Sequence, residues 1–151
     1  MPMTDQQLLE RFNTRKPPTG NVFKSNILEV RSADGFVRMS YEVGLEYTNP
    51  MGAVQGGIVA ALIDDVCAFA AIVKAGEPVA VPSLEFKTTF LAAAKPGLLF
   101  AEGRCIKMGR TACFMEGELQ DAQGQVLAKM SVTALIRHPK SPPNLIDVIK
   151  A

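Results

Sequence analysis

The stretch QGGIVAALIDDVCAFAAIVK, residues 55–74, decides how the rest of the chain must be arranged. It is long enough for five turns of helix and apolar on almost every side, so a helix here needs cover all round rather than on one stripe. Gly76 and Pro78 follow it as stop signals. Asp64 and Asp65 interrupt the run, and adjacent carboxylates in apolar surroundings are costly unless something pairs with them or uses them.

What can supply the cover lies on both sides of this segment. Downstream, four segments read as strands, Val79–Leu91, Gly97–Met108, Thr111–Asp121 and Gln125–Ile136, separated by the turn signals AKPG, KMGR and DAQG. Upstream, residues 26–43 alternate partially around SADG and read as a hairpin, which LEYTNPMG leaves through a proline-containing turn. Before that, TDQQLLERF predicts a short helix with Thr4 as N-cap and Gln7 completing a capping box, broken by RKPPTGN. Short connections favour antiparallel neighbours. The expectation is an α+β fold, a long antiparallel sheet wrapped around one apolar helix. One domain over residues 1–151 is expected, with residues 1–20 as a helical extension and 138–151 as a proline-interrupted tail.

The bulk composition prunes the functional classes. The chain has 151 residues, 48% hydrophobic and 21% charged, with a net charge of +1. That balance suits a packed core, and the lack of a concentrated basic surface argues against nucleic acid or acidic membranes as partners. The three cysteines, Cys67, Cys105 and Cys113, show no CxxC spacing and lie in apolar stretches, so they read as reduced core residues of a cytoplasmic protein. The one histidine, His138, stands at the start of the tail, which removes paired-histidine metal sites and leaves no imidazole near the helix. No metal or cofactor is expected.

The helix itself suggests chemistry. Its N-terminus presents unpaired N–H groups and a partial positive charge, and Gly56 and Gly57 would let a substrate carbonyl approach the backbone closely. On a helical wheel Asp64 shares a stripe with Gly57, Ala60, Ala61, Cys67, Ala68 and Ala71, whereas Asp65 shares the bulkier side with Ile58, Leu62, Phe69 and Ile72. Small residues around Asp64 permit close approach, so Asp64 is the carboxylate expected to act and Asp65 the structural one. Asp64 lies roughly 10–12 Å along the axis from Gly56. That gap is too long for one chain's two groups to meet directly, and a second chain supplying the facing carboxylate would close it.

The segment from Asn49 onward resembles a specific family. Asn49, Gly52, Gln55-Gly56-Gly57, an apolar stretch and Asp64 match the pattern of hotdog-fold acyl-CoA thioesterases, in the branch related to phenylacetate-pathway thioesterases. VPSLEFKTTFLAAAKPG and the closing strands to Arg137 are similar as well. The resemblance implies hydrolysis of an acyl-CoA thioester to free acid and CoA. Asp64 would act as nucleophile or as base for water, the Gly56 N–H as oxyanion donor, with Asn49 near a site shared between two subunits. Ser83 falls where the family often carries a site hydroxyl. The chain departs from the family at Gln55, where histidine is usual, so a role needing an ionisable group there is lost, although a side-chain amide can still accept or donate. Lys107, Arg110 and Arg137 are candidates to meet CoA phosphates. Self-association as a dimer or a dimer of dimers is expected. A non-catalytic acyl-CoA-binding or sensor domain on the same fold is the alternative, and a hotdog hydratase or dehydratase a more distant one.

Overall fold

The computed structural model describes residues 2–138; the expected tail falls outside them from residue 139 onward. In chain order the elements are helix α1 (Asp5–Thr14), a short helix α2 (Pro18–Val22), strands β1 (Asn26–Arg31) and β2 (Phe36–Val43), helix α3 (Gly56–Ala75), and strands β3 (Ser83–Phe90), β4 (Gly97–Met108), β5 (Ala112–Gln120) and β6 (Val126–Leu135). The capping box at Thr4 and Gln7 starts α1. RKPPTGN does more than break the chain, because Pro18 at the first helical position, where a missing N–H costs nothing, opens α2.

All six strands form one antiparallel sheet in the order β1-β2-β4-β5-β6-β3. The sequence misleads at AKPG: β3 and β4 are consecutive in the chain but are not neighbours. β3 pairs with β6 at one edge, and β4 starts on the other side, between β2 and β5. Leu91 and Ala92 donate to the Leu127 carbonyl, so the link first hugs β6 and then crosses to reach β4. The first four residues of Val79–Leu91 are not strand. Pro78 and Pro82 bracket them, a residue without N–H cannot join a ladder, and only the Ala80–Arg137 bridge forms there.

α3 lies in the hollow of this sheet, with Leu62, Ile63, Val66, Cys67, Ala70 and Ala71 wholly or almost wholly buried. Each such large aliphatic side chain contributes about 1.5–3 kcal/mol relative to exposure. By length and composition α3 could cross a membrane, but half of its apolar window is buried inside the fold. The packing is close. A Cβ at Gly103 would stand 2.6 Å from the Val66 carbonyl oxygen, and one at Gly117 2.7 Å from the Cys67 Sγ, so β4 meets the helix backbone, and β5 its buried side chains, where only glycine fits. The cysteines are free and buried, and burial pushes all three thiols up, which keeps them protonated and inert at neutral pH.

The two long edges of the sheet differ. β1 is covered by α1, and Asn13 bonds both backbone groups of Ile27, accepting from its N–H at 2.8 Å and donating to its carbonyl at 2.9 Å. Among the described residues β3 has no strand beyond it, and it leaves Leu84, Phe86, Phe90 and the following Leu91 exposed.

Candidate active site

The turn before α3 is built around Asn49. Its side-chain carbonyl accepts from the Met51 and Ala53 N–H groups at 3.0 and 3.2 Å, and its backbone closes the same turn through Ala53 and Gly52. Asn49 is thus committed through that oxygen to holding the loop, as Asn before proline commonly is. The loop ends at Gln55, whose N–H donates to the Tyr47 carbonyl at 2.9 Å.

Gln55 is the N-cap of α3, and its side chain makes no capping bond. The Gln55 carbonyl accepts from Ile58 and Val59 instead. The N–H groups of Gly56 and Gly57 meet no acceptor among the described residues, which leaves two donors at the positive end of a twenty-residue helix. Phe90, at the end of β3, lies against this point, its ring 3.1 Å from where a Gly56 Cβ would stand.

The two aspartates part company two turns further on. Asp64 is half-buried and turned to β3, where Ser83 Oγ donates to its Oδ1 at 2.7 Å. A bulge between Ser83 and Glu85 makes this contact. It brings Ser83 onto the same face as Phe86, Thr88 and Phe90, opposite the buried Ala134, Val132, Met130 and Ala128 of β6. Asp65 turns the other way, to β2. Tyr41 Oη donates to Asp65 Oδ2 at 2.8 Å, with the Leu62 carbonyl at 3.2 Å. Burial raises the Asp65 carboxyl from 3.8 to about 6, the Tyr41 bond acts in the opposite sense, and the Asp64 charge raises it further. Burial and the facing Asp65 charge raise the Tyr41 phenol well above its ordinary value.

β3 therefore carries contacts to both chemical ends of α3, Ser83 beside Asp64 and Phe90 beside Gly56. Within one chain these ends stay about 12 Å apart in helical rise. Arg137 bridges to Ala80, just before Ser83, and Ile136 donates to the Thr111 carbonyl next to Arg110. Both arginines are exposed and sit at the Ser83 end of the sheet, away from Gly56. Lys107, also exposed, lies two strands further in, opposite Phe114. His138 stands near Glu77 beyond the C-terminal end of α3, with Nδ1 3.7 Å from Oε1, so no imidazole reaches the glycines from within the chain. A groove of about 610 Å³ lies on the opposite face of the sheet among Lys87, Glu102, Arg104, Glu116 and Lys129 and includes none of the candidate residues.

Two residues here escape a reading of the sequence. Tyr41 could have been flagged, because alternation along β2 puts it on the inward face with Met39 and Val43, and a buried tyrosine hydroxyl needs a partner. Thr88 could not: its Oγ1 is buried on the inner face of β3 without a partner, which no local pattern announces.

A six-stranded antiparallel sheet curled around one long helix is the hotdog architecture. The thioesterase superfamily model matches residues 51–128, from the turn before α3 to the start of β6, and the chain belongs to that family. A candidate thioesterase of Ralstonia eutropha, a phenylacetic acid degradation-related protein, is 27% identical, with a TM-score of 0.76 over 85% of this chain and 98% of its own. A candidate esterase of Schizosaccharomyces pombe is 25% identical over 82% of this chain and 78% of its own. A Streptococcus mutans protein solved with acetyl CoA shares the fold at 22% identity, with a TM-score of 0.69 over 78% of this chain and 91% of its own.

Proposed function

We propose that the protein hydrolyses an acyl-CoA thioester to free acid and CoA in a site shared by two copies of the chain. One observation carries this reading: the open-edged β3 touches Asp64 through Ser83 at one end and Gly56 through Phe90 at the other. An antiparallel pairing of β3 with β3 of a second copy, about the strand's midpoint, sets each chain's Ser83 opposite the other's Phe90. Asp64 of one chain then faces Gly56 of its partner, and the 12 Å gap along a single helix no longer matters. Exposed Leu84, Phe86 and Phe90 supply apolar surface for that contact.

In this site the thioester carbonyl oxygen accepts from the Gly56 N–H, which gains strength as negative charge develops there. Asp64 attacks the carbonyl carbon, or takes a proton from the water that does. The tetrahedral intermediate collapses with departure of the CoA thiolate, and water completes the release of acid where an acyl-enzyme has formed. Ser83 holds the reacting carboxylate in place. Gln55, which carries no proton to exchange, can only add an amide dipole. Arg110 and Arg137 stand at the rim for CoA phosphates.

An acyl-CoA panel with a thiol-release assay tests the reaction. Asp64→Ala is expected to lower kcat at least about 10³-fold, and equal turnover by wild type and Asp64→Ala would end this mechanism. Mixing tests the sharing. Asp64→Ala and Gly56→Pro homodimers should each be inactive, and subunit exchange between them should restore roughly one quarter of the wild-type sites. No recovery in demonstrated heterodimers would place the whole site in one chain. Tight binding of intact acyl-CoA without thiol release would favour a binding or sensor role, the reading that the loss of histidine at position 55 keeps in contention.

A further inference from the structure

We infer that Tyr41 and Asp65 are a positioning pair, pinning α3 to β2 so that Asp64 is held against Ser83 of β3 on the opposite side of the helix. The inference rests on the proposed role of Asp64. Adjacent residues on a helix point about 100° apart, so two neighbouring carboxylates can reach strands on either side of it. That is how they are used: β2 is second from one edge of the sheet and β3 forms the other edge.

Most of the contact between α3 and the sheet is apolar, and apolar contact is non-directional, leaving rotation about the helix axis weakly specified. The directional bonds are few. Among the described residues, the side-chain hydrogen bonds joining α3 to other elements are Tyr41 to Asp65 and the Leu62 carbonyl, Ser83 to Asp64, and Lys74 to the Ala33 carbonyl at the far end. The first two lie at the same level of the helix and pull on opposite sides.

Tyr41 is suited to such a role. It is only 1% exposed, and its single proton has three acceptors in reach: Asp65 Oδ2 at 2.8 Å, the Leu62 carbonyl at 3.2 Å and Met39 Sδ at 3.3 Å. The carboxylate is both nearest and charged, and charge-assisted bonds are the strong ones. No lysine or arginine among the described residues pairs with either aspartate. The titratable groups acting on Asp65 are Tyr41 from β2 and Asp64 from its own helix, and Cys67 acts in turn on Tyr41. A solvated surface aspartate would need none of this. A phenol buried under the helix, aimed at the residue next to the reacting one, fits a part that sets orientation.

The test compares Tyr41→Phe, Asp65→Asn and Asp65→Leu with Asp64→Ala. Tyr41→Phe keeps the ring and removes the bond, and should lower kcat roughly 10- to 100-fold with KM little changed, the signature of a misplaced reacting group. Asp65→Asn still accepts from the phenol and should retain most of the activity that Asp65→Leu loses. The pH–rate profile adds a readout that a merely structural role would not move. An inflexion near pH 6 should shift upward in Tyr41→Phe, which loses the bond that favours the ionised form, and disappear in Asp65→Asn. Wild-type kcat and an unmoved profile in both variants, beside an inactive Asp64→Ala, would overturn the pair while leaving the reaction intact. An active Asp64→Ala would instead overturn the reaction. In that case the 13C resonance of the Asp64 carboxyl still decides, since it should follow Asp65 titration in wild type and lose that dependence in Asp65→Asn. An Asp64 resonance indifferent to both substitutions would sink the inference, whatever the catalytic result.

Discussion

The sheet has one finished edge and one unfinished edge. At β1 the backbone is met by α1, and Asn13 bonds Ile27 with its amide as a neighbouring strand would. At β3 no described residue adds a further strand, and phenylalanines and leucines stand at the surface. Isolated proteins blunt an open edge with charge, proline or cover. Among the described residues, cover is present on one side and absent on the other, and the uncovered side is where the proposed pairing would extend the sheet. The uncovered side is also the side that touches Asp64 and Gly56.

The largest effect should come from closing that open edge to partners. Phe86→Lys puts a charge on the inner face of β3, where self-pairing would bury it. Sedimentation should then show monomers, and thiol release should fall about 10³-fold, because each site loses its second half. Dimers that remain active would detach the site from this edge.

Next comes the balance between the aspartates flanking the helix. Asp65 is raised from 3.8 to about 6, so its protonated form is favoured by folding. Its contribution to stability is complete below pH 4 and is lost as pH rises through 6. Asp65→Asn should therefore be more stable than wild type at pH 8, by about 2–3 kcal/mol, with the difference shrinking toward pH 4. Urea titrations at several pH values measure this, and a pH-independent difference would show that Asp65 does not titrate as described.

A smaller change is expected at the finished edge. Asn13→Ala strips both bonds from Ile27 and should cost about 1–3 kcal/mol in urea denaturation while leaving activity per folded molecule unchanged. The smallest concerns the rim. Arg110→Ala with Arg137→Ala should raise KM for acyl-CoA several-fold with kcat constant, more so at low salt, because exposed charges are screened.

The architecture was legible because its main signal is compositional. An apolar helix with no polar face has to be wrapped, and the hairpin and closing strands are bounded by strong turn residues. Strand order was not legible. A short AKPG link suggests neighbours, yet β3 belongs to the opposite edge because its partner, β6, comes thirty-odd residues later, and pairing at that range leaves no local trace. The spacing of Gly56 and Asp64 could be read from helix geometry, as could the different sides taken by the two aspartates. Tyr41 as the partner of Asp65, the bulge that turns Ser83 inward and the ring of Phe90 on Gly56 all depend on contacts between distant segments. The unpaired amide of Gln55 depends on the turn that Asn49 builds.

Gly103 against the Val66 backbone and Gly117 against the Cys67 and Ile63 side chains leave no spare room between α3 and the sheet at these two points. On the proposed function, an acyl tail would then run outside the core, along surface side chains that contribute little to folding. Residues that hold the protein together and residues that choose an acyl group are then separate sets. A lineage could alter its preference by surface substitution without first acquiring spare stability.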